Sequence, residues 1–310
     1  MLKVCDLFVS FVTKLYNTVL QTCDIIIIEK CVKAPDGFPL GAFSLQRNVR
    51  MRVIRCDLPY ADMIEIHPMA DLHIGDAHCD YKGILDRLEY IKNTPNAYVI
   101  LGGDLMDTAI ANSVGDTYGA KLQPMEQLKH CVKLFEPLAD AGKVLAVLPG
   151  NHEQRIMRHD GIDTTAIMCA QLGLQDKYSE TTALLFVRFG KQSGKGAHGR
   201  PQLYTVYCCH GSGGGKLIGG KANRVEALAG IVDADIYLHA HTHAPLVFKQ
   251  SFYRISGANS SVSLVDKLFC NCNSMLNYGG YGDYQGYKPS SKQAPVIYLN
   301  GHKREMWAQL

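Results

Sequence analysis

Five short polar clusters carry residue types that bind metals and move protons: Asp71-Leu72-His73, Gly103-Asp104-Leu105-Met106-Asp107, Gly150-Asn151-His152-Glu153, His210-Gly211 and His241-Thr242-His243. Carboxylate, imidazole and carboxamide groups are costly to bury unless paired or ligated. Taken singly, Asp71 reads equally well as a turn residue and Asn151 as a left-handed turn residue. Five such clusters in one chain call for a common partner. A pair of divalent cations is the simplest, because oxygen and imidazole donors together suit metals such as manganese, iron or zinc. A carboxylate can bridge two ions about 3.5–4 Å apart, and such a pair clamps a phosphoryl group while activating water. Phosphoester hydrolysis is the chemistry these residues suit.

Each cluster follows a run with strand character, so the strands must bring distant residues to one sheet end. Strand candidates are Met63–Met69, Ala97–Leu101, Val144–Leu148, Leu203–Cys209 and Ile236–His239, preceded by one beginning at Met51 (MRVIRCDL). Between them lie amphipathic helix candidates: Tyr81–Lys92, with Ile84, Leu88 and Ile91 on one face, and Pro124–Ala141, with Leu128, Val132 and Phe135. Thr164–Leu172 and Ala222–Ala229 continue the alternation. The alternation implies a layered α/β fold with functional loops at the sheet ends. Thr182–Phe189 and Leu203–Tyr207 read as an antiparallel hairpin, and Val247–Ile255, Lys267–Cys272 and Pro295–Leu299 as further strands. The expectation is a mixed sheet together with a second one.

The ordered set Asp-x-His, Gly-Asp-x-x-Asp, Gly-Asn-His-Glu, a lone His before Gly, and His-x-His resembles the calcineurin-like metallophosphoesterase family over roughly residues 63 to 260. The resemblance implies a mixed two-sheet β-sandwich flanked by helices. It implies that Asp71, His73 and His243 bind one metal, that Asn151, His210 and His241 bind the other, and that Asp104 bridges them. It assigns His152 to phosphate binding and protonation of the leaving oxygen, with Asp107 orienting its imidazole, and water activated between the ions attacking phosphorus in line. A nearby cation such as Arg155 would stabilise charge on the phosphoryl oxygens. The implied cofactors are two divalent metal ions, manganese first, with iron, zinc, nickel or magnesium as alternatives. The sequence departs from the family at Ala240, where a Gly usually precedes the last His-x-His. Alanine costs little there unless the backbone needs a positive φ.

Other residues have plainer readings. His67 and His78, flanking the first cluster, read as structural or solvent-exposed, and His239 stays outside the ligand set. The stretch GSGGGKLIGGK at 211–221 has P-loop spacing, but Ala222 stands where a Ser or Thr should bind magnesium. It reads as a loop beside His210 that lines a substrate cleft, with Lys216, Lys221 and Arg224 either meeting phosphates or forming a solvated face. The rings of Tyr278, Tyr281, Tyr284 and Tyr287 are spaced as a stacking surface for bases would be, or as an ordered surface loop. Over the cleft, they would favour a nucleotide or nucleic acid substrate.

The chain has 310 residues, 47% of them hydrophobic and 20% charged, enough to bury a substantial core and to exclude a disordered or disulfide-stapled scaffold. A formal charge of +3 permits nucleic acid as a partner without arguing for it. Eleven scattered cysteines read as reduced thiols in a cytosol, so a cytoplasmic location is expected. Residues 7–28 are apolar but interrupted by Lys14, Asn17, Gln21 and Asp24, so no stable membrane insertion is expected. The clean strand pattern begins at Met51, which divides the chain into an extension, residues 1–50, and a catalytic domain, residues 51–310. The partner expected is a phosphoester substrate, open between nucleic acid and smaller phosphate esters, nucleotides or pyrophosphates. A rival of another class is a scaffold that keeps the fold without catalysis; it would lack ligands or His152, and this sequence lacks neither.

Overall fold

The first described strand, β1 (Arg52–Leu58), alternates exposed Val53 with buried Ile54 and Cys56, as an edge strand with one face on a core must. The computed structural model describes residues 51–110, 120–189 and 201–310. The strands β2 (Met63–Met69), β3 (Ala97–Leu101) and β4 (Val144–Val147) are buried almost throughout, as central parallel strands covered on both faces are. They pair in parallel, and β10 (Val296–Asn300) and β11 (Met306–Gln309) add antiparallel neighbours, giving the order β11-β10-β2-β3-β4. The second sheet runs β1-β5-β6-β7-β9-β8, with β5 (Thr182–Phe189), β6 (Leu203–Cys209), β7 (Ile236–His239), β8 (Leu246–Ser256) and β9 (Ser261–Asn271).

Both sheets turn one apolar face inward, where Ile66 and Ile100 from the first meet Leu185, Val206 and Ile236 from the second. On the outer face of the first sheet, Ile84, Leu88 and Ile91 of α1 (Tyr81–Asn93) and Leu128 and Phe135 of α2 (Pro124–Asp140) pack over Val99 and Leu101. On the outer face of the second, Val225 of α5 (Ile218–Glu226) and Leu228 cover Tyr207, Tyr237 and Phe269. This is a two-sheet sandwich flanked by helices. Cys208 faces the space between the sheets and Cys209 the opposite face, as the pleat requires. Among the described residues no helix is long and apolar enough to cross a membrane.

Several elements differ from the sequence expectation, among them α5, which begins at Ile218 rather than Ala222. Residues 151–160 form a helix, α3 (Asn151–Asp160), which buries only Glu153 and Ile156 and so has no apolar stripe to announce it. Strand β9 begins at Ser261, because its first half lies in a long hairpin with β8 where neither face is covered. The last strand, β11, is too short for its period to show. The remaining helices are α4 (Thr164–Gln171) and the one-turn α6 (Gly280–Tyr284).

Candidate metal centre

Strands β2, β3 and β4 end side by side, and β6 and the parallel β7 end at the corresponding edge of the facing sheet. The loops leaving these ends carry all five polar clusters. Their backbones interlock: Asp71 N donates to Gly103 O at 3.0 Å, Leu72 N to Asp104 O at 2.8 Å, and Ala240 N to His210 O at 3.0 Å. Asp71, His73, Asp104, His241 and His243 all adopt left-handed φ angles between 50° and 64°. Non-glycine residues rarely do so, and such strain, of order 1–3 kcal/mol each, persists at functional sites where the surroundings over-determine it. Two glycines allow the loops to close in: a Cβ on Gly150 would lie 2.0 Å from Asp104 Oδ1, and one on Gly103 would lie 2.5 Å from Gly150 N. Ala240 is not among the positive-φ residues, so alanine there is unstrained.

The nine sequence-predicted site residues meet at this edge. The potential ligand atoms of Asp71, His73 and His243 lie within 4.8 Å of one another, as do those of His73, Asp104 and His152, and those of Asp104, His210 and His241. Asn151 Oδ1 closes the last group, 3.1 Å from His210 Nε2 and 2.7 Å from His241 Nδ1. His73 Nε2 faces His243 Nε2 at 3.3 Å, and His243 Nε2 lies 3.3 Å from Asp71 Oδ1. Asp71 is 0% exposed and Asp104 1% exposed, and Asp71 Oδ1 and His73 Nδ1 are buried with no hydrogen-bond partner. Buried polar atoms are rarely left so. His210 Nδ1 donates to Gly102 O at 2.8 Å, which aims Nε2 at the cluster, the orientation a carbonyl behind a ligating imidazole imposes. This donor set of carboxylates, imidazoles and one carboxamide fits divalent cations.

The electrostatics agree with that fit. Burial alone would raise the carboxyl pKa of Asp71 and Asp104, but the facing imidazoles, His243 for Asp71 and His210 for Asp104, lower both, Asp104 well below the usual carboxylate range. Burial would lower His210, yet Asp104, 3.2 Å away, pushes it up to about 10. The same negative field that retains a proton on His210 would retain a cation in its place. His241 is lowered to about 4 by burial and by His210.

His152 sits in the first turn of α3. Its Nδ1 donates to Asp107 O at 2.7 Å and lies 3.2 Å from the Asp107 carboxylate, leaving Nε2 toward the cluster, 4.0 Å from Asp104 Oδ2. Burial would lower its pKa, but the Asp107 hydrogen bond and the Asp104 charge outweigh that and raise it above the ordinary imidazole value. Asp107, in turn, is held low, against its burial, by the hydrogen-bonding His152 and by the His73 imidazole, whose Nδ1 lies 3.6 Å from its carboxylate.

Glu153, which the sequence shows beside the histidine of its cluster without a task, has one in the structure. Its carboxylate accepts from Asp104 N at 3.0 Å, Met106 N at 2.8 Å and Gly150 N at 2.7 Å, tying the β3 and β4 loops together. Thr108 and Gln127 carry no sequence signal of their part in the site: Thr108 Oγ1 donates to His152 O at 2.6 Å, and Thr108 N donates to Gln127 Oε1 at 2.8 Å. The only sequence signal for Glu153 was its place three residues after Gly150, the spacing of a capping box.

The cluster opens into a cleft of about 440 Å³. Gly213–Gly215 and Lys221 form one wall, and Tyr278, Tyr287 and Lys288 form another. The glycine stretch is therefore a cleft wall, and Gly220 and Lys221 lie inside α5 rather than in a phosphate loop. Lys221 Nζ donates to Thr242 O at 2.8 Å, and Arg224 donates to Ser212 O at 3.0 Å and to Gly214 O at 3.3 Å, so both cations tie down the loops. Lys216 lies over the Tyr287 ring at 5.9 Å. His67 is buried beside Glu65 at 3.2 Å, away from the cluster, and His78 is exposed at the cleft rim. His239 Nδ1 donates to Asn271 Oδ1 at 2.7 Å.

A family model described as calcineurin-like phosphoesterase matches residues 72–245, and the chain belongs to that family. Its fold is similar to that of a conserved uncharacterized protein, a predicted phosphoesterase, from Streptococcus pneumoniae, at 14% identity, covering 81% of this chain and 100% of that one, with a TM-score of 0.30. It is also similar to a metallophosphoesterase from Sphaerobacter thermophilus, at 12% identity, covering 78% and 89%, with a TM-score of 0.32. A third likeness is to Vps29 complexed with Zn2+ from Entamoeba histolytica, at 11% identity, covering 79% and 97%, with a TM-score of 0.34. No curated protein matches the chain.

Proposed function

We propose that this protein hydrolyses phosphoesters with two divalent metal ions, and that its substrates are nucleotides or nucleic acids. The observation that carries the reading is the convergence of seven oxygen and nitrogen donors on one strained, buried edge, with Asp71 Oδ1 and His73 Nδ1 lacking hydrogen-bond partners. Asp71, His73 and His243 would hold one ion and Asn151, His210 and His241 the other, with Asp104 between both. When bound, such ions supply Lewis-acid polarisation of a phosphoryl group and activation of water; manganese is the first candidate.

The chain's own residues do the rest. Asp107 accepts the Nδ1 proton of His152 and fixes the ring so that Nε2 faces the phosphoryl position. The raised pKa of His152 keeps a proton available at Nε2 for the leaving oxygen, the task of a general acid. Glu153, Thr108 and Gln127 hold the backbone on which Asp104 and His152 stand. Tyr278 and Tyr287, beside the cleft, offer rings against which a base can stack, which favours nucleotides over simple phosphate esters. The test is a panel of aryl phosphate esters, cyclic nucleotides, RNA, and single-stranded and duplex DNA assayed with added manganese. Manganese-dependent turnover that chelation abolishes supports the reading, and an inert protein on every substrate opposes it.

A further inference from the structure

Helix α3 does not end its charge with His152. Asn151, Arg155, Arg158 and His159 follow at i, i+4, i+7 and i+8, the spacing of a single helix face. The helical rise places Arg155 about 6 Å and Arg158 about 10 Å along the axis from Asn151. This face borders a second cleft of about 450 Å³, lined by Ile110, Asn151, Arg155, Arg158 and His159. Asn151 and Arg155 also line the main cleft, so the two are continuous. Among the described residues the lining includes no carboxylate. Among the described residues Arg155 has no ion pair, and its Nη1 is buried without a hydrogen-bond partner. Arg158 Nη2 donates to the neutral Gln154 at 3.1 Å and has no ion pair among the described residues, while His159 leans on Asp160 at 2.7 Å.

We propose that this groove is a second phosphate subsite, and that the substrate is a single-stranded nucleic acid. The scissile phosphate lies at the donor cluster, the nucleoside on one side stacks along the Tyr278 and Tyr287 wall, and the next backbone phosphate lies along α3 against Arg155 and Arg158. This rests on the phosphoesterase reading above and deepens it. A guanidinium with no ion pair among the described residues, set between two connected clefts, suits a ligand with successive phosphates, and a tyrosine wall suits one that also carries bases. A substrate with a single phosphate would leave the groove unused.

The test compares wild type with Arg158→Glu on three manganese-supplemented substrates: an aryl phosphodiester, a dinucleotide with one internal phosphate and no terminal phosphate, and a single-stranded oligonucleotide. The expected result is a wild-type preference, in kcat/KM, for the oligonucleotide over the bare dinucleotide, and a reduction in the variant at least tenfold greater on the oligonucleotide than on the aryl diester. A second readout needs no turnover. Binding of a fluorescent single-stranded oligonucleotide, followed by anisotropy in chelator, should weaken in the variant, and its logarithmic salt slope should fall by about 0.7 for each phosphate the variant no longer neutralises. Equal reductions on all three substrates, an unchanged salt slope, or a preference for a dinucleoside polyphosphate over the oligonucleotide would overturn the subsite. Failure of wild type on the aryl diester as well would instead count against the phosphoesterase reading.

Discussion

The Asp104 carboxylate joins the two sides of the centre: Oδ2 lies 3.2 Å from His210 Nε2, and Oδ1 accepts from His152 N at 2.8 Å. Asp104→Ala should therefore remove bound metal and activity together, read by elemental analysis and turnover on the same sample. His152→Ala should separate the two, keeping the metal while lowering turnover about 10²–10⁴-fold, the usual contribution of a general acid. Gly150→Ala should cost metal affinity, because its Cβ would press on Asp104 Oδ1. Measured metal dissociation constants check it, and wild-type affinity would refute it. At this scale the sequence is most informative. The donors are legible because their residue types suit little else in that order. Glu153 is not, because it serves backbone N–H groups, which leave no mark on the sequence. Its removal in Glu153→Ala leaves three buried donors unpaired and should lower stability by about 3 kcal/mol or more, read as a reduced urea midpoint.

Among the elements, the strands that aim the site were readable from apolar runs ending in polar clusters, and β2, β3, β6 and β7 lie where those runs predict. Helix α3 was hidden because its outward faces are charged and its role is to carry Asn151, His152 and a basic stripe rather than to fill a core. Strand β2 also holds a buried imidazole that the site does not use. Burial, and then the nearby Arg87, lower the pKa of His67 from 6.5 to about 4. Between those values the unfolded chain binds a proton that the folded chain refuses. The stability due to His67 is thus complete above pH 6.5 and lost as pH falls toward 4, at about 1.4 kcal/mol per pH unit. His67→Gln should flatten the fall of the melting temperature between pH 6.5 and 4.5. A variant with the wild-type slope would show that His67 takes no part.

For the molecule as a whole, two sheets must keep their ends in register for five loops to meet, and the inter-sheet core of Ile66, Ile100, Leu185, Val206 and Ile236 maintains that register. Ions held by loops from both sheets would add to it. Metal at about one hundred times its dissociation constant should stabilise the fold by about 2.7 kcal/mol, and chelation should remove that gain. The pairing of the two sheets was only partly legible in the sequence, because a mixed sheet is set by strand order and crossovers rather than by local pattern. The most direct test of the centre is anomalous diffraction from crystals soaked in manganese. Two peaks are expected, one beside Asp71, His73 and His243 and one beside Asn151, His210 and His241, with Asp104 between them. A crystal with no peak at this edge, or with ions only elsewhere on the molecule, would contradict the account.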